Sequence, residues 1–89
     1  MQTLAERMRF LRAATGAHAT QLSRVAGVSE NLVGMYERGD RGARMSLDTA
    51  LKIAVVTGCD PVWLVSGKGE TPVEDAVRTT FDRAAATLP

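Results

Sequence analysis

Apolar positions recur along this chain at helical spacing, and no stretch alternates apolar with polar as a strand would. Leu4, Met8, Leu11 and Ala14 form a first stripe, with Glu6, Arg7, Arg9 and Arg12 between them, and Gly16 closes the segment. A second segment, from about His18 to Ala26, sets Leu22, Val25 and Ala26 on one side and ends at Gly27. Val28 then leads into Ser29, a residue type that caps helices, and a third helix with Val33 and Tyr36 facing inward ends at Gly39. Ser46 caps a fourth helix through Leu47, Ala50, Leu51, Ala54 and Val55, which stops at Gly58. Asp60 before Pro61 opens a short fifth helix carrying Trp63 and Leu64. Thr71, Pro72 and Glu74 read as a capping box with proline in the first helical position, starting a last helix through Val73, Val77, Phe81, Ala84 and Leu88. The predicted fold class is all-α: a compact five-helix domain over residues 1–69 with an additional C-terminal helix in residues 70–89.

Size and composition narrow what such a bundle does. Eighty-nine residues suffice for one domain with a modest core, and are too few for a core plus a separate catalytic or sensor domain. The single cysteine, Cys59, permits no internal disulfide and no cysteine-rich metal site, so folding rests on apolar packing in a reducing compartment. The apolar run "IAVV" at 53–56 is far shorter than the ~20 residues of a membrane span. The expectation is a soluble, cytoplasmic protein with no membrane association. Net charge is only +1, but residues 1–52 hold eight Lys/Arg against five Asp/Glu, while residues 53–89 hold three against five. The basic excess lies in the first half, as expected if that half faces a polyanion.

Two short helices joined by a tight glycine-containing turn describe a helix-turn-helix corner, a geometry that many small helical proteins share. The order and spacing of further motifs sharpen it. "MRFLR" in the first helix, "LSRVAGVS" across the turn, "VGMYERGDR" in the third helix and "GCDPVWLVSGKGE" after the fourth together resemble the Cro and phage-repressor family of helix-turn-helix regulators, over roughly residues 4 to 70. The resemblance implies a repressor-like transcriptional regulator of double-stranded DNA. Its recognition helix, Ser29 to Arg38, would enter the major groove while the helix before it crosses the backbone. It also implies a homodimer on a palindromic operator, for which the apolar face of the last helix offers a contact; the alternative for that helix is to fold back onto its own domain. An effector-binding role for a small molecule is not expected.

By the same resemblance Glu30, Asn31 and Met35 stand where family members touch bases, with Leu32 at the edge. The residue types suit the task. Asn31 matches adenine bidentately, Glu30 accepts from the amino group of cytosine, and Met35 or Leu32 packs on thymine methyls. Gly34 costs about 1 kcal/mol of helix stability relative to alanine but keeps a side chain out of a crowded groove; simple tolerance in a short exposed helix is the other account. Phosphate contacts would come from Arg38, Arg41 and Arg44 on and after the third helix. The family usually has glutamine at the position of Ala19, where it bonds a phosphate; His18, Thr20 and Gln21 are the neighbours that could substitute. Arg12 and Glu37 occupy positions that form an ion pair beneath the recognition helix in several phage repressors.

The remaining residues read as structure. Trp63 is a core anchor, Cys59 a small buried hydrophobe and His18 a lone imidazole. Ser23, Ser29, Ser46 and Ser66 have no spacing to a His/Asp pair that suggests a nucleophile. No enzyme, metal or cofactor is expected. The competing function is a protein-interaction module on the same fold, of antitoxin or antirepressor type, in which Leu32 and Met35 meet another protein.

Overall fold

The computed structural model describes residues 2–39 and 44–87, and among these the chain forms six α-helices and no strand. They are α1 (Leu4–Thr15), α2 (Ala19–Ala26), α3 (Leu32–Arg38), α4 (Leu47–Thr57), α5 (Pro61–Ser66) and α6 (Glu74–Ala86). The all-α class follows as the periodicity indicates.

Local chemistry sets most of the boundaries. α1 starts where Thr3 and Glu6 cap each other: Thr3 Oγ1 accepts from the Glu6 amide at 3.1 Å and the Thr3 amide donates to Glu6 Oε1 at 3.2 Å. Two amides without a partner inside the helix are thereby satisfied. Ser46 Oγ accepts from the Thr49 amide to open α4, and Asp60 Oδ1 from the Val62 amide to open α5, with Pro61 in its first position. Gly16, Gly27, Gly39 and Gly58 end the first four helices in left-handed conformations. At Gly58 the requirement is double, since φ is +74° and a Cβ would stand 3.1 Å from Thr80 Oγ1 on α6.

α1 packs against α2, α3, α5 and α6, and so lies at the centre of the fold. Met8 and Leu11 of α1 meet Leu22, Val33, Ile53, Trp63, Leu64, Val77 and Phe81 in one core. The Phe10 ring stands edge-on to Trp63, with centroids 6.2 Å apart, a favoured aromatic geometry. Cys59 is buried there, and burial pushes its thiol pKa up, which leaves it protonated and chemically quiet.

Outside the α2–α3 corner, three features depart from the sequence pattern. In α4 the buried residues are Ala50, Ile53, Val56 and Thr57, whereas Leu47, Leu51 and Val55 face outward. Apolar residues lie on both sides of this helix, so periodicity alone did not select the inner one. Thr71 does not cap α6, which begins at Glu74 with Val73 in an extended conformation before it. Thr71 and Pro72 instead line a cleft with Gly58, Cys59 and Asp60 at the corner between α4 and α5; Glu74 and Asp75 then favour the helix start through its dipole. Finally, Arg7 is buried rather than a surface residue of α1. Its Nε donates to the Leu64 carbonyl at 2.9 Å and its Nη2 to the Val65 carbonyl at 3.0 Å, tying α1 to the end of α5.

The apolar face of α6 packs inside its own chain, against α1 and α4, through Val77 and Phe81. Val73 is exposed, and Leu88 lies outside the described residues. Phe81→Ala is therefore expected to cost about 3–5 kcal/mol of folding stability, read as a lower urea midpoint at unchanged slope. A loss below about 1 kcal/mol would exclude α6 from the core.

Candidate nucleic-acid interface

α2 buries Leu22, Ser23 and Ala26 against the core and ends at Gly27, whose φ of +75° only glycine adopts without strain. The Gly27 amide donates to the Arg24 carbonyl and the Val28 amide to the Ser23 carbonyl, closing a compact helix end. The chain then turns through Ser29 and Glu30, with the Leu32 amide on the Ser29 carbonyl at 3.0 Å. α3 therefore starts two residues later than a cap at Ser29 indicates. Asn31, not Ser29, is its N-cap, and the Asn31 side chain makes no capping bond.

The cap comes from elsewhere in the fold. The Val33 amide, one of the donors at the start of α3, donates to Ser23 Oγ of α2 at 3.3 Å. Ser23 is fully buried, so this bond ties the two helices of the corner together out of water. With a side chain of α2 serving as cap, Ser29 has no capping role to fill. The sequence drew attention to Ser23 only as a serine without catalytic partners; its place next to Leu22 on the buried side of α2 was the usable signal.

The other end of α3 is held by α1. Arg12 Nε donates to Glu37 Oε1 at 2.7 Å, and Arg9 Nη1 donates to the Glu37 carbonyl at 2.6 Å. Glu37 is largely buried, its side chain 13 % exposed against 35 % for Arg12. Tyr36, also buried, donates its hydroxyl to the Arg44 carbonyl at 3.1 Å. This anchors the chain where it returns towards α4. Burial pushes the Tyr36 phenol pKa up, so it remains a donor.

What these ties present outward is mixed. Glu30 and Asn31 are exposed at the entry to α3, whereas Leu32 and Met35 are half-buried and packed against the core with only part of each side chain outward. Glu30 is also paired, accepting from Arg24 Nε at 3.1 Å and from Arg24 Nη2. Arg24 had no assigned role in the sequence. Gly34 lies under Arg38: a Cβ at residue 34 would stand 3.4 Å from Arg38 Nη1 and 4.0 Å from the Ala19 Cβ. The two small residues Gly34 and Ala19 let α2 and α3 approach and let the Arg38 side chain fold back along α3. His18 and Thr20, exposed at the start of α2, and Arg38 and Arg44, exposed at the end of α3 and before α4, flank the corner. Arg41 lies outside the described residues.

The geometry is that of a helix-turn-helix, and the comparison with known families agrees. A family model described as a helix-turn-helix domain matches residues 3–64, from the capping residue of α1 into α5. The chain belongs to this family of DNA-binding helix-turn-helix domains. No solved structure matches it. Among the described residues, no group of three or more His, Cys, Asp or Glu could hold a metal ion, and no helix is long and apolar enough to cross a membrane.

If the Arg12–Glu37 bond holds α3, Arg12→Ala and Glu37→Ala should each destabilise the fold, and the double variant should lose less than the sum by about 1–3 kcal/mol. Chemical denaturation of the four proteins gives this coupling directly. Strict additivity would mean that the two side chains act independently.

Proposed function

We propose that this chain is a repressor-like transcriptional regulator of the Cro and phage-repressor type, acting in the cytoplasm on double-stranded DNA of defined sequence. The observation that carries the proposal is a short α3 held from behind at both ends, by Ser23 and by Arg9 and Arg12, with Glu30 and Asn31 outward at its entry. A helix so braced presents its side chains to a groove with little freedom left to lose on binding. In this proposal α3 and the turn before it lie in the major groove. Asn31 bonds adenine, Glu30 accepts from cytosine, and the outward parts of Leu32 and Met35 touch thymine methyls. Attraction to the backbone comes from Arg38, Arg41, Arg44, His18 and Thr20 around it, which explains how a reading surface low in Arg and Lys still binds a polyanion.

A palindromic operator calls for two copies of the chain, with recognition helices roughly 34 Å apart. Since α6 uses its apolar face internally, support for a second copy comes from α4. Leu47, Leu51 and Val55 are 61 %, 46 % and 77 % exposed, one turn apart, and Asp48 and Lys52 run beside them as an i,i+4 ion pair. Two such helices crossing antiparallel near Leu51 cover each other's stripe and bring Asp48 of each towards Lys52 of the other. That self-complementarity is what a two-fold interface requires. Residues 1–69 then carry the DNA-binding unit, and residues 70–89 brace it.

Affinity and specificity should separate on mutation. Arg44→Ala is expected to weaken binding on all sequences alike and to lower the salt slope by about one. Asn31→Ala should cost about 1–3 kcal/mol on the best site and little on random DNA. If substitutions at Asn31, Met35 and Glu30 all leave site preference untouched in a folded protein, α3 is not the reading helix and a protein-interaction module takes precedence. For assembly, Leu51→Asp with Val55→Asp should sediment as a monomer with unchanged helix content. Sedimentation like the wild type would place the self-contact elsewhere.

A further inference from the structure

Arg24 lies in the last turn of α2 and Glu30 precedes α3, and the turn at Gly27 brings them together. Both bonds from Arg24 fall on one carboxylate oxygen, Oε1, and no described residue donates to Oε2. The pair is open to solvent, with the two side chains 67 % and 54 % exposed. An ion pair this exposed adds little to folding stability. Its position is the informative part, because it straddles the corner that faces DNA in the function proposed above.

A carboxylate at that corner presents two problems for binding a polyanion. It is repelled by phosphates, and it loses rotamer freedom when it settles on one base. Arg24 addresses both before DNA arrives. Its charge cancels that of Glu30, and its two donors fix the carboxylate by one oxygen, which leaves the other to accept a hydrogen bond. We propose that Arg24 is the positioning residue of a two-residue reading unit: it neutralises and orients Glu30 so that Oε2 accepts from the exocyclic amino group of cytosine in the major groove. The inference rests on the DNA-binding function proposed above. It predicts that a residue which never touches the base decides whether that base is read.

The experiment is site selection from random duplex DNA, with affinities at several salt concentrations, for the wild type, Arg24→Ala, Arg24→Lys, Glu30→Gln and the double variant Arg24→Ala with Glu30→Gln. Thermal melts are expected to match the wild type in all four variants, given the exposure of both side chains. Arg24→Ala should lose about tenfold or more on the best site and its preference for cytosine at the position read by residue 30. Arg24→Lys, which keeps the charge but has no planar fork, should recover affinity more than preference. With Glu30→Gln already present, Arg24→Ala should leave base preference unchanged. An Arg24→Ala protein that still selects the wild-type base, or whose effect is the same with and without Glu30→Gln, overturns the reading unit while the DNA-binding function stands. A wild type that binds no duplex overturns that function and this inference together.

Discussion

A helix of seven residues does not hold itself in water, because its few backbone hydrogen bonds do not offset the ordering of its residues. α3 is such a helix, so everything the candidate interface presents depends on bonds reaching it from outside. The first is the buried contact of Ser23 Oγ with the Val33 amide, which supplies from α2 the cap that α3 lacks locally. The second is the grip of Arg9 and Arg12 on Glu37 at the far end. Glu30 and Asn31 stand at the entry, next to the first of these ties. Binding groups placed on a rigid support lose less entropy on complex formation.

The same economy of polar ties recurs through the small core. Arg7 bonds the carbonyls of Leu64 and Val65, acceptors that the end of a helix as short as α5 leaves without partners. Its aliphatic stem fills apolar space while its head satisfies those acceptors. No buried side-chain nitrogen or oxygen among the described residues lacks a partner. With a core drawn from a single small domain, these bonds fix how the helices are set against each other. α1 supplies most of them, through Arg7 to α5 and through Arg9 and Arg12 to α3.

Charge at the corner follows from this arrangement. Arg24 and Glu30 cancel each other, and Arg38 folds back over Gly34. The surface facing outward between them is nearly neutral, with an amide and parts of two apolar side chains at its centre. In the DNA-binding function proposed above, such a surface would discriminate by hydrogen bonds and methyl contacts, with attraction to the polyanion left to the flanking cations.

Much of this was legible in the chain itself. Helix ends depend on a few local residues, so Gly16, Gly27, Gly39 and Gly58 marked four of them, and Ser46 and Asp60 marked two starts. The position of the corner and the exposure of Glu30 and Asn31 were legible for the same reason. Tertiary structure decided what depends on a partner distant in sequence. Which side of α4 is buried was undetermined while apolar residues lay on both sides, until α2, α5 and α6 packed against it and Ile53 and Val56 were buried. The start of α3 moved to Leu32 because a serine ten residues earlier in the chain caps it. Arg7 went inside because the carbonyls it satisfies lie more than fifty residues away, and Arg24 found Glu30 only once the turn had formed. Periodicity records which residues prefer burial, but it does not say which polar groups will find each other, because that depends on how helices already formed are set side by side.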